Sequence, residues 1–187
     1  MRCCDERCTR DSMTVMATKK PKKPYYYAGG KRVVLEPAAD LVAVDDARLA
    51  EKLPDLLASD AALRSGRPLR GGIRLVQREA LGPETLARLQ SAGVTQPVFR
   101  QAGAIMIALP EIRIEDEIQA KLAEVRRFAA STKQLITNDA EGHLTIQPPS
   151  ADGGDALSLA NVLVEQYKVT SASPRFLRIV PGPVVRA

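Results

Sequence analysis

Apolar and polar residues alternate with two different periods in the second half of the chain. In "EIRIED" (111–116) every second residue is apolar, which predicts a strand with one buried face. In residues 117–131 apolar residues instead recur three or four positions apart, which predicts a helix with one apolar stripe. That stripe consists of Ile118, Leu122, Val125 and Phe128. The segments "QLITN" and "HLTIQ", separated by "DAEG", then predict a β-hairpin.

A second helix and a last strand complete this half of the chain. We expect the helix to begin at an Asp155 cap and to end near Gln166. The segment "VTSASPRFLRIV" predicts the closing strand. The order over residues 111–180 is β-α-β-β-α-β, which is typical of a ferredoxin-like fold. Two helices would cover one face of a four-stranded antiparallel sheet, and the open face is a candidate surface for a partner.

Residues 25–110 predict a second, smaller α+β unit before this one. Short apolar runs such as "LVAVDD" and "AIMIALP" (104–110) predict buried strands, and "GPETLARLQSAG" predicts a helix. The segment "SGRPLRGG" (65–72) has the composition of a loop, and Asp45 or Asp46 is expected to cap a helix that Pro54 interrupts. The fold class is therefore α+β, with a boundary between the two units near Pro110.

The two ends of the chain differ from the predicted core. Residues 1–24 predict a disordered basic leader with four lysines in "TKKPKKP", which contribute to the net charge of +5. The three cysteines, at positions 3, 4 and 8, all lie in this leader, and Met13 and Met16 offer alternative starts to Met1. Residues 181–187 predict an extended, proline-containing tail.

The sequence lacks the residue patterns of the common catalytic sites. The only histidine, His143, lies beside the predicted hairpin turn, so a Ser-His or Cys-His pair has no evident base. No phosphate-binding or dinucleotide-binding glycine pattern occurs, and no histidine or cysteine pair has metal-ligand spacing. We therefore expect a binding protein rather than an enzyme, with no cofactor and no metal.

No apolar run approaches the roughly 20 residues that span a bilayer. The basic leader is not followed by the apolar stretch of a secretory signal. We therefore expect no membrane partner and a cytoplasmic location.

The segment "DGGDALSLANVLVEQYKVTSASPRF" resembles the end of the N-terminal prodomain of subtilisin-family serine proteases. Such prodomains often end in a strand of the form V-x-x-A-x-P-x-F, matched here by Val169, Ala172, Pro174 and Phe176. The larger, fervidolysin-like version carries an added N-terminal half, and "ADLVAVDD", "PVFRQAG" and "PEIRIED" resemble it in the same order. The resemblance covers roughly residues 25–180.

The resemblance implies a non-catalytic protein that binds a subtilisin-like serine protease in trans, as inhibitor or folding chaperone. In that family the open sheet face packs on two protease helices, and the C-terminal tail lies in the substrate cleft as an added strand. The protease-binding residues would then be Phe176, Leu177, Arg178, Ile179, Val180, Pro181, Val184, Val185, Arg186 and Ala187.

The chain departs from the family pattern in two ways. The protease domain that should follow the tail is absent, so the chain would be a free-standing prodomain, a truncated gene or a domain reused elsewhere. An acid often precedes the proline of the motif and caps a protease helix, but Ser173 stands there. Asp139 and Glu141 in the hairpin turn are the other candidates for helix-capping contacts.

Two other interpretations of the same sequence remain open. The open sheet face could serve a protein–protein interaction or adaptor domain with no protease partner. Nucleic acid could bind the basic leader, but an RNA-binding sheet of this kind needs aromatic residues on its central strands, and the predicted strands offer only Phe176. We therefore do not expect nucleic acid to be a partner of this chain.

Overall fold

The computed structural model of the chain describes residues 23–180, in which twelve strands and six α-helices form a mixed α+β fold with antiparallel sheets. The strands are β1 (Tyr25–Ala28), β2 (Lys31–Val34), β3 (Glu36–Pro37), β4 (Leu41–Asp45), β5 (Arg67–Leu69), β6 (Ile73–Gln77), β7 (Thr95–Gln96), β8 (Val98–Gln101), β9 (Ala104–Glu115), β10 (Leu135–Ala140), β11 (His143–Gln147) and β12 (Ser171–Ile179). The helices are α1 (Asp46–Lys52), α2 (Pro54–Ser59), α3 (Ala61–Ser65), α4 (Pro83–Ser91), α5 (Gln119–Ser131) and α6 (Gly153–Glu165).

Strand β9 is the longest strand of the described chain and organises the larger sheet. One edge of β9 pairs with β8 through its first half and with β11 through its second half. The other edge pairs with β12 through both halves. The second half of the chain therefore has the strand order β10-β11-β9-β12, with every neighbouring pair antiparallel.

The sequence predicted two strands, 104–110 and 111–116, and this prediction is wrong because β9 runs through both. Pro110 has no N–H to donate, which normally ends a strand. In β9 no ladder pairing is formed by residues 109–111, and β12 shifts its register opposite them, between Pro174 and Phe176. The missing donor is thus tolerated at this bulge, and the predicted boundary at Pro110 falls inside a shared strand.

The first half of the chain builds a smaller sheet with the order β5-β6-β4-β7. Helices α1 to α4 cover one of its faces, where Leu49, Leu63 and Leu89 are fully buried against Val44. Asp45 caps α1 through a hydrogen bond from the amide of Arg48, as predicted, and Pro54 divides the predicted helix into α1 and α2. The predicted loop 65–72 is partly wrong, since Arg67–Leu69 forms the edge strand β5.

Helices α5 and α6 cover one face of β9, β11 and β12. Their core contains Ile112 and Ile114 of β9, together with Leu144 and Ile146 of β11. Leu122 and Val125 of the predicted α5 stripe are buried, but Ile118 precedes the helix and is 52% exposed. The cap of α6 is Asp152 rather than Asp155, because the Asp152 side chain accepts hydrogen bonds from the amides of Gly154 and Asp155.

The hairpin of β1 and β2 packs against α6 and β12 on this same side. The hydroxyls of Tyr25 and Tyr27 both donate to Glu165 of α6, at 2.7 and 3.0 Å. The ring of Tyr26 meets that of Phe176 edge-on, with 5.0 Å between the centroids. The three tyrosines therefore point to alternate sides, as expected for an extended segment, and fix the hairpin to both α6 and β12.

A buried glutamine joins the two halves of the molecule. Gln96 is 4% exposed; its Oε1 accepts from the amide of Gly153 at 2.8 Å, and its Nε2 donates to the carbonyl of Ala151 at 3.1 Å. A Cβ atom at position 153 would overlap the carbonyl oxygen of Ala108, so only glycine lets α6 begin this close to β9. Arg48 donates to the carbonyl of Ala151 as well, at 2.6 Å.

Candidate interaction face

The second half of β9 presents one sheet face to solvent. Its even-numbered residues Ile112 and Ile114 lie in the helix-side core, so its odd-numbered residues point the other way. Register with β11 and β12 places their polar residues on the same side. We call this surface the open face, and it consists of Glu111, Arg113, Glu115, His143, Thr145, Gln147, Ser171, Ser173 and Arg175.

Charged side chains on the open face are paired with one another. Glu111 accepts a hydrogen bond from Arg175 at 2.8 Å and lies 3.8 Å from Arg113. His143 Nδ1 lies 3.8 Å from Glu115 Oε1, and both side chains are more than 60% exposed. The open face is therefore polar and close to neutral, and association through it would depend on polar complementarity more than on apolar burial.

The open face is concave toward the edge strand β10. A hollow of about 400 Å³ is lined by residues of β9, β10 and β11, among them Arg113, Thr137 and Thr145. All six residues of β10 are exposed, and among the strands of residues 23–180 β10 pairs only with β11. Leu135, 58% exposed, is the large apolar side chain at this edge of the open face.

The sheet β5-β6-β4-β7 covers the same face over the first half of β9. Here the odd-numbered residues are Ile105, Ile107 and Leu109, and they pack against Leu41 and Ile73 of the smaller sheet, among others. The open face therefore ends where this second layer begins, and in the predicted sheet only the last strand runs beneath the layer, through Leu177 and Ile179.

The predicted tail residues divide into three groups. Phe176, Leu177, Arg178 and Ile179 lie in β12, paired with β9. Phe176 packs on Tyr26, and Leu177 and Ile179 are partly buried and pack against the core between the two sheets. Arg178 is exposed, and Val180, just past β12, is 66% exposed. Pro181, Val184, Val185, Arg186 and Ala187 lie outside the described residues, as do residues 1–22 with the three cysteines.

The three candidate capping residues occupy different surroundings. Asp139 lies in β10, where Arg126 donates to both of its oxygens at 2.7 and 2.9 Å and holds the pKa of this carboxyl below its usual value. Glu141 is an exposed residue of the turn. Ser173 is half-buried on the open face, opposite Arg113. Of the three, Ser173 alone is on the open face, and Asp139 is held by Arg126.

A buried carboxylate fixes the end of the sheet beside the open face. Asp116 accepts from the amide of Ile118 at 2.8 Å and from the amide and hydroxyl of Thr170 at 2.7 and 3.1 Å. Burial alone would raise the pKa of Asp116, but these hydrogen bonds and nearby Lys121 outweigh it and lower that pKa. Asp116 therefore ties the end of β9 to both α5 and the start of β12.

Residues 23–180 contain no group of three histidine, cysteine, aspartate or glutamate side chains placed to hold a metal ion. No helix in this part of the chain is long and apolar enough to cross a membrane. No family model, curated protein or solved structure matches the chain.

The sequence predicted an open sheet face as a candidate partner surface but, apart from Ser173, did not identify the polar residues that form it. The signal is present in "EIRIE" and "HLTIQ", where the residues between the apolar positions are Glu, Arg, His, Thr and Gln. Strand register, which decides that these two sets of residues lie side by side, comes only from the fold.

Proposed function

We propose that this chain is a non-catalytic protein that binds a subtilisin-like serine protease in trans, as an inhibitor or folding chaperone of the prodomain type. The observation that carries the proposal is the strand order β10-β11-β9-β12 with two helices on one side and an open face on the other. That order, with β-α-β-β-α-β connectivity, supports a ferredoxin-like unit. The match of the V-x-x-A-x-P-x-F motif to the prodomain family points the same way.

The motif residues support a likeness of fold more than a direct contact with a protease. Val169 and Ala172 are buried in the helix-side core, Pro174 is buried beside Ile112, and Phe176 packs on Tyr26. The contact with the protease is therefore assigned to two other parts of the chain: the open face and the residues beyond Val180.

The end of β12 fits a tail that reaches into a cleft. The chain leaves β12 at exposed Val180, at an edge of the larger sheet. Residues 181–187 could extend at most about 25 Å from there. Such a segment could pair with a cleft strand by β-augmentation while the open face contacts the protease surface.

Inhibition assays on a subtilisin-type protease test the proposal. The intact chain should inhibit saturably, and a chain ending at Val180 should lose most of the inhibition because it lacks the cleft segment. Arg113→Glu, on the open face, should weaken inhibition at least about tenfold. The substitution would bring like charges together in the contact and leave other charges there without a partner. Arg127→Glu makes the same charge change on α5, at an exposed residue away from the open face, and should have no effect.

Digestion of the intact chain without inhibition, or equal inhibition by the chain ending at Val180, would overturn the cleft assignment. A second candidate is then an interaction module that uses the open face with no protease. This second candidate is favoured because Phe176, Leu177 and Ile179 pack within the fold and so do not belong to a free tail. A purified partner whose binding is lost with Arg113→Glu but retained by the chain ending at Val180 would support this second candidate.

A further inference from the structure

A cluster of arginines lies far from the open face in sequence. Residues 61–78 contain five arginines and no acidic residue. This stretch includes helix α3, the edge strand β5 and strand β6. A stretch whose charges are all positive attracts anions more strongly than a surface that carries charges of both signs.

One arginine of this stretch is structural. Arg74 donates to both oxygens of Asp46, at 2.9 and 3.2 Å, and also to the carbonyls of Gly66 and Arg64. Its charge is balanced by Asp46, and it fixes the backbone on either side of Ser65. The chain that carries Arg64 and Arg67 is therefore held in place.

Three other arginines lie in the edge strand β5 or directly beside it in sequence. Arg64, Arg67 and Arg70 are exposed, and within residues 23–180 none of them forms an ion pair. They are three residues apart in sequence, with Arg64 in α3, Arg67 in β5 and Arg70 in the turn that follows β5. We call Arg64, Arg67 and Arg70 the arginine edge.

We propose that the arginine edge binds the phosphate backbone of nucleic acid without sequence preference. Three exposed guanidinium groups within residues 64–70 suit a polyanion, and arginine forms two parallel hydrogen bonds to a phosphate. Residues 61–78 contain no aromatic side chain, so base stacking plays no part and binding rests on phosphates. This proposal does not depend on the protease proposal.

The surroundings favour nucleic acid over a membrane or a protein partner. Peripheral membrane binding needs apolar side chains beside the basic ones, and none of the strongly exposed large apolar residues lies in 61–78. A specific protein interface needs an apolar centre, which this edge also lacks. Phosphate contacts alone are enough for non-specific binding to nucleic acid.

Fluorescence anisotropy with a short labelled DNA duplex of mixed sequence tests the proposal on the full chain at several NaCl concentrations. The wild-type chain should bind at low salt, with an affinity that falls steeply as salt rises. The triple variant Arg64→Gln, Arg67→Gln, Arg70→Gln should bind at least about tenfold more weakly at low salt, and its salt slope should be smaller by about 3. All three side chains are exposed, so the midpoint of thermal unfolding should stay unchanged.

Two comparison variants make the result specific. The triple variant Lys31→Gln, Arg127→Gln, Lys133→Gln removes the same charge from three exposed positions elsewhere and should keep most of the affinity. Replacing Lys19, Lys20, Lys22 and Lys23 by glutamine tests the basic leader separately. Absence of binding by the wild-type chain, an equal loss in the first comparison variant, or a loss confined to the leader variant would each overturn the proposal.

Discussion

The two halves of β9 share one sheet face and use it in opposite ways. In the first half the residues on this face are Ile105, Ile107 and Leu109, which pack beneath the smaller sheet. In the second half they are Glu111, Arg113 and Glu115, which face solvent. A single strand thus carries the core between two sheets at one end and a candidate binding surface at the other.

The comparison shows that a strand covered on both faces can be recognised from its residue pattern alone. "AIMIAL" is apolar at every position, as expected for a strand covered on both faces. "EIRIE" is apolar only at alternate positions, as expected for a strand that is covered on one face. The change of period marks the place where the second layer ends.

The largest expected loss of stability comes from a truncation within β12, which can be compared with a truncation of the tail beyond it. A chain that ends at Phe176 loses Leu177 and Ile179, and with them most of the pairing of β12 to the first half of β9. Each large core side chain contributes about 2–5 kcal/mol, and the whole stability of a domain is about 5–15 kcal/mol. We expect this chain to be unfolded or barely folded by circular dichroism and urea denaturation.

A chain that ends at Val180 is the matched control for that experiment. It keeps all of β12 and should unfold within about 0.5 kcal/mol of the full chain. A stably folded chain ending at Phe176 would contradict the core role of Leu177 and Ile179. For the same reason, only the chain ending at Val180 can test a tail function without removing core side chains.

Two single substitutions, with smaller expected effects on stability, compare the two halves of β9 directly. Ile107→Ala should lower the free energy of unfolding by about 2–5 kcal/mol, because Ile107 is fully buried between the two sheets. Arg113→Ala, on the same face six residues later, should change it by no more than about 0.5 kcal/mol, because its side chain is 64% exposed. Urea denaturation of both variants measures the difference, and similar losses would mean that the second half is also covered.

Period and capping residues predicted most of the elements. The alternation of Ile112 and Ile114 and the spacing of Leu122 and Val125 gave the correct strand and helix because these residues do share one core. The mixed α+β class with antiparallel sheets is confirmed. The failures at Ile118 and Asp155 are shifts at helix ends, where several neighbouring residues have suitable chemistry.

The continuity of β9 and the extent of the open face could not be predicted from local patterns. Pro110 favours a strand end in any sequence, and it is tolerated here because β12 is bulged opposite it. The covering of Ile107 by residues of β4 and β6 depends on contacts between segments far apart in sequence. Local patterns contain no information on such contacts, so they did not predict that the second layer also covers Leu177 and Ile179 of the last strand.

A further prediction, with a smaller expected loss of stability than that of Ile107→Ala, concerns the carboxylate of Asp116 at the far end of β9. Asp116→Asn should lower the free energy of unfolding at neutral pH by about 1–3 kcal/mol, because an amide cannot accept on both sides from Ile118 and Thr170. The pKa of Asp116 is lowered in the folded protein, so its contribution is complete above the unfolded-state pKa of about 3.9. The contribution is lost as the pH falls through the lower, folded-state pKa. The stabilities of wild type and variant should therefore converge in acid, as measured by urea denaturation across a pH series.

Asp139→Asn provides the contrasting control on the same sheet. The pKa of Asp139 is also lowered, by Arg126, but the pair is exposed and screened by solvent. We expect only a slight loss of stability, which disappears at about 1 M salt, where the screening length is about 3 Å. The loss in Asp116→Asn should persist at that salt concentration, because its partners are backbone amides in a buried site. A loss in Asp116→Asn that was independent of pH would mean that packing, rather than the charge of the carboxylate, fixes this end of β9.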